Sequence, residues 1–233
     1  MEVTLFFLRW IHFMAGVTWV GILYYFNFVQ TPFFAETEAG VRTGAIQKLV
    51  PRALWWFRWS AMFTFLAGIT IYGLEMSRRG GSGQFYSSTY GVAISLGGLI
   101  GTMMFLNVWL VIWPKQQIVI ASANQVAGGG QALPAAAGAG RRAALTSRTN
   151  VVFSIPMLFF MGAAGHYTSL VGQSSNRGLF WLLVIIILAA LEYNALVGTQ
   201  GATKKPLDSV SGALWGGFIL TAIFYVLALG LLS

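Results

Sequence analysis

Two histidines carry the widest range of chemistry in this chain, and they are the only two among its 233 residues. His12 lies in Arg9-Trp10-Ile11-His12-Phe13-Met14-Ala15-Gly16, and His166 in Gly162-Ala163-Ala164-Gly165-His166-Tyr167. Both stretches belong to long apolar runs, where an ionisable side chain is costly and marks a functional candidate. The chain has no cysteine. That excludes disulfides, thiolate zinc sites, iron–sulfur clusters and covalently attached c-type haem, and leaves His, Met or carboxylate as ligands. Two histidines fall short of the four ligands of a closed zinc site. From different helices at one level, they suit the two axial positions of a haem b iron. Gly16 and Gly165 beside them would let a flat macrocycle approach the backbone. Hydrogen bonding between helices, a proton path and another metal are the competing readings of the same pair.

Other polar residues in apolar runs are few. Glu192 in Leu191-Glu192-Tyr193-Asn194 is a proton-handling group, a substrate anchor, or a carboxyl paired with an Asn to lock helix packing. Arg58 either snorkels to headgroups or pairs with Glu192, and Asn107 reads as an interhelical hydrogen bonder. Met14 and Met157 are possible axial ligands, but their types suit core packing better. The tryptophans, among them Trp10, Trp55, Trp56, Trp59, Trp113 and Trp181, sit mostly near the ends of apolar runs, as an aromatic belt does.

The elements that must position these groups are membrane helices. The chain is 57% hydrophobic and 9% charged, against about 25% charged in a soluble domain. A bilayer core asks for roughly 20 apolar residues per helix. Six runs qualify: Thr4 to Val29, Leu54 to Met76, Tyr90 to Trp113, Thr149 to Val171, Leu179 to Gly198, and Val210 to Leu232. The expected fold is all-α, a polytopic bundle of about six transmembrane helices in a single domain spanning residues 1–233. No alternating ten-residue pattern suggests a membrane barrel. The first run lacks a basic leader and is too long for a signal-peptide core, so it reads as a retained helix. Residues 116–148 contain Gly128-Gly129-Gly130 and the Ala/Gly tract after Ala135, and read as a flexible cytoplasmic loop, with Gln116 to Gln125 able to extend helix three.

The charge of +8 is spread between apolar runs and reads as a topology signal, not as a nucleic-acid surface. Arg42, Lys48 and Arg52, then Lys115, Arg141, Arg142 and Arg148, then Lys204 and Lys205 occupy the odd-numbered loops. The positive-inside rule places those loops in the cytoplasm and both termini on the outer side. His12 is then about eight residues from the outer end of its helix, roughly 12 Å, and His166 about five, roughly 8 Å. Arg9, Arg78, Arg79 and Arg177 fall on the same side, where they would meet haem propionates.

Three segments resemble the membrane domain of the cytochrome-c-type urate oxidase family. They are Trp10 to Gly21, Met104 to Gln116, and Ser147-Arg148-Thr149-Asn150 followed by Ser154 to Met161 and His166-Tyr167. They occur in the family's order and span the first four helices. The resemblance implies a bacterial inner-membrane, multi-pass redox protein connected with urate oxidation, whose electrons leave through a fused cytochrome c. No Cys-x-x-Cys-His occurs here, so the expectation is the membrane domain without that fusion, served by a separate periplasmic cytochrome c. The sequence thus points to a b-haem electron-transfer protein in the lipid bilayer, with His12 and His166 on the iron. The alternatives are a non-catalytic accessory subunit of a larger respiratory or photosynthetic membrane complex, and a carrier or channel using Glu192, Arg58 and Asn107.

Overall fold

The computed structural model describes residues 1–167, 169–170 and 176–232, and these form helices without strands. In chain order the α-helices are α1 (Glu2–Tyr24), α2 (Thr31–Glu36), α3 (Ala39–Lys48), α4 (Val50–Arg78), α5 (Gly81–Ser87), α6 (Thr89–Leu106), α7 (Trp113–Ala127), α8 (Ala136–His166), α9 (Arg177–Leu196) and α10 (Val210–Leu232). Two π-helical segments, Tyr25–Gln30 and Asn107–Ile112, join α1 to α2 and α6 to α7, and a 3₁₀ segment covers Ala202–Asp208. The all-α membrane bundle is what the apolar runs demand, because a helix satisfies its own backbone where no water is available.

Among the described residues, five helical stretches are long and apolar enough to cross a membrane: Glu2–Glu36, Thr89–Ala127, Ala136–His166, Arg177–Leu196 and Val210–Leu232. The sixth run lies in α4. Its 29 residues would reach about 43 Å, but Arg58, Glu75 and several Thr, Trp and Tyr dilute its apolar character. It packs antiparallel along α1, with Gly16 against Thr64 and Arg9 on Glu75.

The expected loop over 116–148 is largely helical. α7 continues to Ala127 and α8 starts at Ala136, so only 128–135 connects them. The Ala-rich tract extends the helix because Ala has the highest helix propensity, enough to carry Gly138 and Gly140. Both π segments end two residues before a proline, Pro32 and Pro114. Proline removes a donor and crowds the preceding turn, which favours a locally widened helix.

α8 is the axis of the bundle. Leu145, Asn150, Val151, Phe153 and Ser154 are completely buried, and α1, α6, α7, α9 and α10 all pack on it. Glycines set two of these approaches. At Gly97 of α6 a Cβ would lie 2.7 Å from Met161 Cγ, and at Gly217 of α10 it would lie 2.5 Å from Ile155 Cδ1 and 3.0 Å from the Val152 carbonyl. α10 runs parallel to α8 and ends beside the start of α9, where the Asn176 amide donates to the Leu231 carbonyl at 3.2 Å. The start of α1 and the end of α10 therefore lie at one end of the bundle.

At the opposite end Lys204 is buried and closes the C-terminus of α9. It donates to the Asn194 carbonyl, which the helix end leaves unsatisfied, to Asn194 Oδ1 at 2.9 Å and to the Val197 carbonyl at 2.8 Å. Burial pushes its ammonium below the ordinary lysine range, and Arg142 and Arg141 push it the same way. Gly217→Val is expected to cost about 1–3 kcal/mol by overpacking α10 on α8. Gly98→Ala, whose Cβ meets nothing within 4 Å, is expected to leave stability unchanged or slightly raised. Thermal unfolding of the two variants in detergent checks the contrast.

Candidate functional site

Both histidines are tied by the same atom. His12 Nδ1 lies 2.9 Å from the Thr64 carbonyl of α4, and His166 Nδ1 lies 3.0 Å from the Gly162 carbonyl one turn back in α8. A carbonyl only accepts, so in each ring Nδ1 carries a proton, and in the neutral imidazole the lone pair is then on Nε2. This is the tautomer in which histidine binds metal through Nε2, with the other nitrogen held by a backbone carbonyl.

The direction in which each histidine lies follows from one contact. Tyr24 and Ser154 join α1 to α8 through their hydroxyls at 2.9 Å. Ser154 donates its own proton to the Val151 carbonyl at 2.7 Å, so Tyr24 is the donor. From this contact the antiparallel helices run towards the same end, and His12 and His166 each lie twelve residues along, roughly 18 Å. α1 then leaves α8 to follow α4, and His12 settles against Thr64 and Gly68, well short of Arg78 at the end of α4, whereas His166 is the last residue of α8.

Their faces differ. Twelve residues carry a helix about 120° past whole turns. Because α1 and α8 are antiparallel, the two side chains leave the α1–α8 line on opposite sides. Contacts agree with this. His12 is half-buried against α4, where a Cβ on Gly68 would lie 3.0 Å from its Cε1. His166 is exposed and continues the stripe of Val152, Ile155 and Phe159 that faces α10. The donor chemistry of each ring fits a haem iron. The geometry presents them as two separate single-ligand positions, and does not bring them onto one iron within a chain.

Below His166 the same stripe borders a groove of about 460 Å³ between α8 and α10, lined by Phe159, Tyr167, Phe218, Thr221, Ala222 and Tyr225. Tyr167 and Tyr225 meet through their hydroxyls at 3.0 Å.

The arginines are organised around a residue that the sequence reading did not single out. Glu75, completely buried, accepts from Arg9, from Arg78 at 2.8 Å and from Arg79 at 3.0 Å. Arg79 also lies 3.7 Å over the Tyr90 ring. The spacing Glu75, Arg78, Arg79 is the i, i+3, i+4 pattern that puts opposite charges on one helix face, so the signal was present. It was masked because Glu75 closes an apolar run. Three cations on one carboxylate leave a net positive rim at the histidine end. Arg177 stands apart and donates to the Ser87 carbonyl at 2.9 Å.

Deeper polar residues form two further networks. Asn107 donates to Asn150 Oδ1 at 2.9 Å and Glu192 Oε2 at 3.1 Å, while Asn150 donates to the Met104 carbonyl at 3.0 Å. Glu192 is thus the Asn-paired carboxyl of the sequence alternatives. Arg58 is placed by stacking, with its guanidinium 3.8 Å over Trp113 and 5.0 Å over Trp109. At the other end Arg148 Nε donates to Asn27 Oδ1 at 2.8 Å, and Asn27 donates to Ser147 Oγ and the Leu23 carbonyl, each at 2.8 Å. Glu75→Gln keeps the shape of the rim but removes the charge shared by three arginines. Loss of charged hydrogen bonds of this kind costs roughly 1.5–3 kcal/mol, read as a lower denaturation midpoint in detergent.

The chain matches the family described as urate oxidase N-terminal over residues 81–226, more than half of its length. The match takes in Arg148, Glu192 and His166 and leaves α1 and α4, with His12 and Glu75, outside it. No curated protein and no solved structure matches the chain. The third and most distinctive of the resembling segments lies wholly within the matched region, and the chain is a member of the urate oxidase N-terminal family.

Proposed function

We propose that this chain is an electron-transfer membrane domain of the urate-oxidising kind, with haem b as its carrier and a periplasmic cytochrome c or a larger membrane complex as its partner. The observation that carries this reading is the pair of Nδ1-anchored imidazoles, each with a free Nε2. Haem b supplies a one-electron couple when bound. The chain's own contributions are specific. The Gly162 carbonyl holds the His166 ring in its ligating tautomer. Phe159, Tyr167, Phe218 and Tyr225 offer an apolar wall on the same face. Arg177, at the same end, supplies a cation for a propionate. His12 offers an equivalent nitrogen between α1 and α4.

In this reading the protein lies in the bacterial inner membrane, with the histidine end and both termini facing the periplasm. The support is the basic residues gathered at the opposite end, among them Arg141, Arg142, Arg148, Lys204 and Lys205. A periplasm-active reporter fused after Ser233 is expected to be active, and an inactive one would invert the orientation.

The reduced-minus-oxidised spectrum of purified protein tests the haem. A b-type band is expected, abolished by His166→Ala and retained by His12→Ala. Loss of the band only in His12→Ala would move the iron to the α1–α4 interface. A folded, colourless wild-type protein supplied with haem would sink the carrier reading and leave the accessory-subunit alternative.

A further inference from the structure

The arginines gathered on Glu75 are held together but not used up. Glu75 accepts from Arg9 Nη2, from Arg78 Nε and Nη2, and from Arg79 Nε. Nη1 of each guanidinium, and Nη2 of Arg79, make no hydrogen bond to the described residues. The three side chains are 45%, 44% and 37% exposed, so the cluster is open to whatever surrounds the bundle there. Arg79 is fixed further by Tyr90, whose ring centroid lies 3.7 Å from its Cζ.

The local charges do not cancel. Glu75 is the one carboxylate in contact with the cluster, and Glu2 acts on Arg78 through space without an ion pair. Three cations against two carboxylates leave one net positive charge. Arg9 also sets this charge against lipid. It lies seven residues into α1, roughly 10 Å from the helix start. Phe6 and Phe13, three residues before it and four after, flank it on the helix surface. They are 65% and 69% exposed, and Trp10 is 56% exposed. On a membrane helix such side chains meet acyl chains, while Trp and Tyr settle at headgroup depth. The guanidiniums therefore stand where headgroup and chain join.

We infer that Arg9, Arg78 and Arg79 form a binding site for the phosphodiester of one anionic phospholipid, in the leaflet on the histidine side, with its acyl chains along Phe6, Trp10 and Phe13. A phosphodiester carries one negative charge, which matches the charge left over. Its two free oxygens can accept from separate guanidiniums in charge-assisted hydrogen bonds. A headgroup with its own cation would return positive charge to the cluster, so an anionic headgroup is preferred. The buried Glu75 keeps the three guanidiniums converged before the lipid arrives, which lowers the cost of ordering them on binding. The inference does not rest on the haem reading, which takes its propionate cation from Arg177 and shares no residue with this site.

Native mass spectrometry of the full chain in a neutral maltoside detergent tests it, with phosphatidylglycerol as the probe and phosphatidylcholine and inorganic phosphate as comparators. One phosphatidylglycerol is expected to stay bound where phosphatidylcholine is lost, and excess inorganic phosphate is expected not to displace it. Arg78→Gln and Arg79→Gln each leave two arginines on Glu75, and each is expected to weaken the lipid about fivefold, the effect of one basic residue at a membrane surface. Arg52→Gln, at an exposed position near the other end of α4, is expected to leave binding unchanged. Thermal unfolding in the same detergent reports that the variants are folded. Equal retention of the two phospholipids by the wild type would overturn the inference. So would displacement by inorganic phosphate, which would make the ligand a free anion, a loss as large in Arg52→Gln, or retention unchanged in folded Arg78→Gln and Arg79→Gln.

Discussion

The constraint on which this structure rests is that a polar group in an apolar surround must find its partner inside the protein. α8 carries Arg148, Asn150 and Ser154, all buried. Each is answered from a different neighbour: Arg148 by Asn27, Asn150 by Asn107 and the Met104 carbonyl, and Ser154 by Tyr24. Apolar contacts alone would allow helices to rotate or slide against one another in lipid, where packing has little hydrophobic driving force. These hydrogen bonds set the rotation of α8 and the register of α1 and α6 against it. Close packing through Gly97 and Gly217 then becomes possible, because the helices are held at the residues where a side chain would clash.

The two π segments belong to the same constraint. Each contains one of the buried asparagines, Asn27 or Asn107, and each precedes a proline. A widened turn re-aims side chains relative to an ideal helix. Local chain geometry and the polar networks are thus coupled: the residues that disturb the helix sit beside those that reach across to α8.

The functional residues separate into two ends with opposite electrical designs. At the histidine end one buried carboxylate holds three partly exposed arginines, so positive charge is displayed at the surface while its anchor is hidden. At the other end a single arginine is buried with one donor open and the neighbouring carboxylate already taken. The first arrangement orders a surface. The second leaves an unfilled demand within the bundle. The histidines belong to neither network, and each is held by a backbone carbonyl with its second nitrogen available.

The sequence by itself determined the class of this protein. Long apolar runs, scarce charge and missing cysteine leave a helical membrane bundle, and the segment from Ser147 to Tyr167 carries the family. That His12 and His166 lie towards the same end of the bundle was also legible, because successive apolar runs alternate in direction. Facing was not legible. It depends on which side of α1 meets α4 and which side of α8 meets α10, and those choices are made by contacts between residues such as Tyr24 and Ser154, 130 positions apart. The same holds for Glu75, an ordinary end-of-helix acid until Arg9 arrives from another helix, and for Arg148, a basic loop residue by composition. Extension of α8 back to Ala136 buried that arginine within a helix, and only the tertiary structure decided that its remaining donor would have no partner.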